Sequence, residues 1–244
     1  LKNLAACGEE AKLSKRLSNA LDHADLNNQR KLFQAMVKAG IFNADENLDI
    51  IRFKLPVEFA PEILTEAAAV ASITPATNGR RDLTAQRTWA IDTPETRDRD
   101  DAFSFETLPD GSSRLQVHVA DPAELIKPGS LLDKEAARRG SSVYMPDQRI
   151  HMLPTEISEE LFSLNHEENR MALTFSLLFS PEYELCEVDI FESLIHIEHA
   201  IDYDTADSML ADNQWLQQAL AFGDRLKKCR ETMGAVMFPR QPEL

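Results

Sequence analysis

The hydrophobic pattern of this chain changes period near Leu83, which restricts it to folds that place a helical segment ahead of a sheet. Before that point Leu13, Leu17 and Leu21, then Leu32, Phe33, Met36 and Val37, recur at three-to-four spacing and stop at Ala39-Gly40. Residues 1 to about 48 therefore read as helical. Pro61-Glu-Ile-Leu-Thr-Glu-Ala-Ala-Ala predicts another helix, with proline in its first turn, where its missing N–H costs nothing. Thr74 to Asp82, with Pro75, Asn78 and Gly79, reads as a loop.

From Leu83 onward strands are expected. Thr88-Trp-Ala-Ile is a short apolar strand that delivers Asp92 at its end, and Ala102-Phe-Ser-Phe-Glu alternates as a second. The turn Pro109-Asp-Gly-Ser joins it to Leu115-Gln-Val-His-Val-Ala as a hairpin. A helix follows, with Ser130 as N-cap, Asp133 in its first turn, Arg138 and Arg139 in its last, and Gly140 as its stop. Ala172 to Phe179 and Glu184 to Ile201 predict an antiparallel pair, the second long enough to need a bend. Trp215 to Glu231 predicts an amphipathic helix through Trp215, Ala219, Phe222, Leu226 and Cys229. The expected class is α+β, a mixed and mostly antiparallel sheet packed with helices. Residues 1–75 form a small helical N-terminal region and 76–244 a second domain.

With 43% hydrophobic residues in 244, the chain can bury a core in each part. Cys7, Cys186 and Cys229 are odd in number and far apart, so neither a disulfide framework nor a Cys-x-x-Cys metal site is expected, and a reducing, cytoplasmic setting is. No apolar run approaches the roughly 18 to 20 residues of a membrane span.

The chemistry is concentrated in Ile91-Asp92-Thr-Pro-Glu-Thr-Arg-Asp98-Arg-Asp100-Asp101. Carboxylates this dense repel one another unless a cation sits among them. Their hard oxygens suit Mg²⁺, with Mn²⁺ as the alternative, and two such ions can activate water on a phosphodiester. Spacing alone equally allows a solvated acidic loop interleaved with Arg97 and Arg99. An EF-hand starting at Asp98 is excluded, because it needs an oxygen ligand at Ala102, glycine at Phe103 and an acid at Pro109.

Asp82-Leu-Thr followed by Ala-Ile-Asp92, Asp98 and Asp100-Asp101-Ala resembles the catalytic-domain signature of the ribonuclease II and ribonuclease R (RNB-domain) family. The resemblance continues through Val117-His-Val-Ala-Asp121-Pro, Gly129-Ser-Leu-Leu-Asp-Lys-Glu-Ala, Ser142-Val-Tyr144-Met-Pro and Met152-Leu-Pro154. It then runs through Glu156-Ile-Ser-Glu-Glu-Leu-Phe-Ser-Leu, Tyr203-Asp204 and Arg230-Glu-Thr-Met-Gly234-Ala, so it spans about residues 80 to 240.

What the resemblance implies is a 3′ to 5′ exoribonuclease that hydrolyses single-stranded RNA to 5′-nucleoside monophosphates by two-metal-ion catalysis. Asp92, Asp98, Asp100 and Asp101 would be both the catalytic and the metal-binding residues. Asp92 and Asp101 would be the more direct ligands, and Asp98 and Asp100 would serve the second ion and its water. Tyr144 would stack on the 3′-terminal base, and Tyr203 would contact the substrate near its 3′ end. The bland alternatives are a hairpin tyrosine for Tyr144 and a helix-start tyrosine for Tyr203. His196 and His199 read as exposed strand positions rather than zinc ligands, Asp121 as a turn former, and His118 and His151 as packing or hydrogen-bonding residues.

The resemblance also sets limits. The family draws a second aromatic clamp and phosphate-binding arginines from segments beyond the position of Leu244, usually followed by an S1-type domain. The 244 residues alone are therefore expected to bind metal weakly and degrade RNA poorly or not at all. No pair of cold-shock barrels is legible; residues 1–75 instead resemble the shorter branch with a helical or winged-helix region. That region is either an RNA contact or a packing module.

The formal charge of −15 runs against RNA binding, and residues 182–212 carry ten acids and no Lys or Arg. A local channel can still differ in sign from the exterior. The main rival is a truncated or inactive relative that binds RNA or a protein without turnover. A DNA-directed nuclease is the distant one, because metal chemistry does not discriminate the sugar.

Overall fold

The computed structural model describes residues 2–7, 14–74 and 76–236. Leu13 and Pro75, used in the sequence reading, lie outside the described residues. The chain divides into two compact units, one of residues 1–65 with 134–154 and one of residues 66–133 with 155–244.

The first unit is mainly helical: α1 (Lys2–Cys7), α2 (Lys15–His23), α3 (Gln29–Lys38) and α4 (Leu48–Phe53). Ser14 caps α2 by accepting from the Leu17 N–H at 3.3 Å, and Asn28 caps α3 by accepting from the Arg30 N–H at 2.9 Å. As the spacing predicts, Leu21, Leu32 and Met36 are buried with Ala5 and Phe42 in one core, and Gly40 ends α3 at φ +67°. The short α4 escapes the sequence reading because its six residues give barely two turns of periodicity. A two-stranded hairpin, β5 (Val143–Tyr144) with β6 (Arg149–Ile150), belongs to this unit.

The second unit is built on a seven-stranded sheet of order β1-β8-β7-β4-β3-β2-β9. Its strands are β1 (Arg81–Leu83), β2 (Trp89–Asp92), β3 (Asp101–Thr107), β4 (Ser113–Ala120), β7 (Asn169–Phe179), β8 (Leu185–His196) and β9 (His199–Asp202). The pairs β1·β8 and β2·β9 are parallel and the other four antiparallel. The polar pair Arg81-Asp82, read from sequence as loop, is the start of an edge strand.

Only Ile197 and Glu198 separate β8 from β9, yet β9 lies at the opposite edge of the sheet. So short a link forces the sheet to curl until those edges meet, and the Glu198 N–H donates to the Thr88 carbonyl at 2.9 Å. This is the bend expected in the long strand, with a change of partner that alternation does not reveal. Leu83, Ala90, Ala102, Leu164, Ala172, Ile195 and Ile197 fill one core of the curled sheet.

Among the described residues there are four more α-helices: α5 (Pro61–Ala71), α6 (Leu131–Arg139), α7 (Tyr203–Met209) and α8 (Gln214–Thr232). The predicted cap of α6 is present, with the Asp133 N–H donating to Ser130 Oγ at 3.1 Å. Helix α8 lays Trp215, Ala219, Phe222 and Leu226 against Phe105 and Phe179, and Trp215 Nε1 donates to the Phe105 carbonyl at 2.7 Å.

Across the sheet runs a buried polar chain. Ser104 Oγ lies 2.8 Å from Thr88 Oγ1 and 2.9 Å from His118 Nε2, and His118 Nδ1 lies 2.8 Å from Thr174 Oγ1. Thr174 Oγ1 is 2.6 Å from Ser193 Oγ, which donates to the Ala172 carbonyl at 3.2 Å. Each polar group thus finds a partner, as burial demands. Donation runs in one direction along the chain when the imidazole carries its proton on Nδ1. Burial pushes the His118 pKa down to about 4, so the ring is neutral at neutral pH.

Candidate active site

Asp92 is the last residue of β2, a strand anchored by the buried Trp89 and Ala90. Its Oδ1 accepts from the Thr93 N–H at 2.7 Å and from Thr96 Oγ1 at 2.9 Å. One carboxylate oxygen thus shapes the turn that starts the acidic loop, and Oδ2 has no hydrogen-bond partner among the described residues.

Asp101 opens β3 opposite Val119, and the Ala120 N–H donates to the Asp100 carbonyl at 2.8 Å. Strand β2 meets β3 at a single register pair, Trp89 with Phe103, so the strands part where the loop carrying Asp98 and Asp100 fills the gap. Asp98 is buried, whereas Asp100 and Asp101 keep access to solvent.

Asp100 and Asp101 feel the charges of their acidic neighbours. Burial raises the Asp100 pKa above the usual carboxylate range, and the charges of Asp98, Asp101 and Asp92 raise it further. Burial, then the charge of Asp92, likewise raises that of Asp101. Here the sheet collects like charge at the cost of electrostatic strain that a cation would relieve. The donor set, all carboxylate oxygen, has the chemistry Mg²⁺ or Mn²⁺ requires. Yet no three His, Cys, Asp or Glu side chains among the described residues converge closely enough to hold an ion.

Tyr203 begins α7 immediately after Asp202, and its side chain is 56% exposed. The register β2·β9 pairs Asp92 with Asp202, so Tyr203 follows the residue opposite Asp92 at the same strand end. Tyr144 is 60% exposed on the hairpin of the other unit, paired with Arg149. The second unit therefore gathers the four aspartates and Tyr203, while Tyr144 belongs to the first.

Several residues here carried no sequence signal. Asp202 caps α7, its Oδ1 accepting from the Thr205 N–H at 2.7 Å. Arg80, its side chain 2% exposed, donates to Asp121 at 2.6 Å and Glu124 at 2.8 Å, so Asp121 does more than shape a turn. His199 packs edge-on to Trp89 at 4.4 Å. Among the described residues no helix is long and apolar enough to cross a membrane.

Residues 80–244 match the model of the RNB domain. Over 175 residues the chain is 33% identical to ribonuclease R of Aquifex aeolicus, covering 70% of this chain and 25% of that protein. The chain thus spans about a quarter of the length of this relative. Among solved structures, ribonuclease R of Mycoplasma genitalium in complex with double-stranded RNA superposes with a TM-score of 0.71 at 22% identity, covering 77% of this chain and 35% of that one. Yeast Ssd1, described as a pseudonuclease, superposes with a TM-score of 0.60 at 20% identity over 76% of this chain and 22% of its own. Both likenesses concern the fold.

Proposed function

Because the chain belongs to the RNB-domain family of ribonucleases, we propose that it carries the acidic half of a 3′ to 5′ exoribonuclease site acting on single-stranded RNA. The observation that supports this reading best is Asp100, whose carboxyl is raised by burial and then by the charges of Asp98, Asp101 and Asp92. A carboxyl perturbed by several like charges marks a place where a cation or a proton can be held.

In this reading Asp92, Asp98, Asp100 and Asp101 hold Mg²⁺, or Mn²⁺ in its place. The bound ions supply Lewis acidity toward a phosphodiester and lower the pKa of water. Asp92 takes part through Oδ2, its Oδ1 being committed to the turn. Tyr203, and Tyr144 on the other unit, offer exposed rings on which any base can stack, which suits removal of 5′-nucleoside monophosphates without regard to sequence. In this reading the chain by itself, which spans about a quarter of the length of the relative it matches, turns RNA over slowly or not at all.

A second reading, an RNB fold that binds without turnover, draws on the likeness to a pseudonuclease. The two separate in an assay of 5′-labelled single-stranded RNA, with free and blocked 3′ ends, with Mg²⁺ or EDTA. Both this chain and its longest natural form are tested, each beside Asp100→Asn. Stepwise shortening from the free 3′ end that needs Mg²⁺ and is lost in Asp100→Asn supports the exonuclease. Equal cleavage by the variant refutes the site, and mainly internal cuts refute the exonuclease.

A further inference from the structure

We propose that Ser163 is a positioning residue for the aspartate loop, its hydroxyl clamping the peptide groups on both sides of Asp98 and so fixing the spacing of Asp98, Asp100 and Asp101. The proposal rests on reading that loop as the metal-binding site.

Ser163 Oγ donates to the Arg97 carbonyl at 2.6 Å and accepts from the Arg99 N–H at 3.0 Å. Those two groups belong to the peptide units immediately before and after the Asp98 Cα, so one hydroxyl restrains both backbone torsions of Asp98. The next peptide unit is held by the Leu164 N–H, which donates to the Arg99 carbonyl at 3.0 Å. The one after that is held by the Ala120 N–H on the Asp100 carbonyl. Four successive peptide units from residue 97 to 101 are thus fixed from outside the loop, and Ser163 does so through its side chain.

The clamp is itself anchored independently of the loop. Ser163 is 1% exposed, Leu164 is fully buried in the sheet core, and Arg170 Nε donates to the Ser163 carbonyl at 2.7 Å. Asn165 Oδ1, at 3.3 Å, is a poorer acceptor for the single hydroxyl proton than the Arg97 carbonyl. Without the clamp, three like charges within four positions would drive the loop apart, and gathering them would cost backbone entropy at every binding event. With it, the backbone part of that cost is met before an ion arrives.

The test compares the parent with Ser163→Ala and Ser163→Thr, reading amide hydrogen exchange and Mn²⁺ titration followed by the ion's electron spin resonance. Losing the hydroxyl leaves a buried N–H and a buried carbonyl unpaired. Exchange of the Arg99 and Leu164 amides should then rise by about tenfold or more in Ser163→Ala, with the β7 amides unchanged, and Mn²⁺ affinity should fall about tenfold. Ser163→Thr, which keeps the hydroxyl, should recover both. Unchanged exchange at Arg99 and Leu164 overturns the clamp. Loosened exchange with undiminished Mn²⁺ binding overturns its bearing on the metal site. A parent that takes up no Mn²⁺ overturns the metal reading of the loop instead, while the clamp stands or falls on the exchange data.

Discussion

Asp92 and Asp202 are register partners across the parallel pair β2·β9. One ends a strand and enters the acidic loop; the other ends a strand and caps α7, whose first residue is Tyr203. A charged turn and an exposed aromatic ring therefore leave the sheet side by side. Asp202→Ala removes the cap and is expected to lower the melting temperature and weaken RNA binding together, whereas Asp202→Asn, which also caps, should preserve both. Loss of RNA binding in the Asn variant would show that the charge, not the cap, matters.

Tyr203→Ala is expected to weaken binding of a short single-stranded RNA by about 1–3 kcal/mol, the worth of one base stacked on an aromatic ring. Tyr203→Phe should retain most of it. Fluorescence anisotropy with a labelled oligonucleotide measures the difference, and equal losses in both variants would assign the effect to the hydroxyl.

Replacing Asp100 by Asn removes one member of a mutually repelling set. Without divalent ions the variant should melt slightly above the parent, by a few tenths of a kcal/mol because the site keeps solvent access. With Mg²⁺ the order should reverse, since only the parent gains from binding. Thermal scans at several Mg²⁺ concentrations check both signs; a parallel response in the two proteins would remove Asp100 from the ligand set.

His118 should make the fold acid-sensitive. The unfolded imidazole titrates near 6.5, and the folded one at about 4. Between those values the unfolded chain binds more protons, so stability falls as pH drops through that window, by up to about 3 kcal/mol. Asp100 and Asp101 act with the opposite sign, because their raised pKa values mean the folded chain holds protons longer and gains stability on acidification. Urea unfolding between pH 7 and 4, on the parent and His118→Gln, isolates the imidazole as the difference between the two slopes.

Phe222→Ala should cost about 3–5 kcal/mol. The ring is buried and touches Phe105, Phe179 and Tyr183, with centroids 5.1, 5.2 and 5.7 Å away, so truncation leaves a cavity walled by rigid rings. A urea midpoint close to that of the parent would show that α8 holds to the sheet by other means.

By itself the sequence determined the longer elements and the chemical character of the site. Helix α3 with its Gly40 stop, the cap of α6 at Ser130, the β3–β4 hairpin and the apolar face of α8 all follow from caps, turns and periods that act within a few residues. The aspartates were legible as a dense run of hard ligands, and a resemblance separated them from an ordinary charged loop. Only the tertiary structure decided which strands are neighbours. Alternation says which face a residue takes, not which strand lies beside it, so the pairing of Asp92 with Asp202 could not be read from the chain. The same holds for the polar chain through His118 and the hydroxyl of Ser163 beneath Asp98, where residues distant in sequence meet. A serine in Phe-Ser-Leu carries no local sign of its partner, because hydrogen-bonding capacity belongs to the residue and its use belongs to the fold.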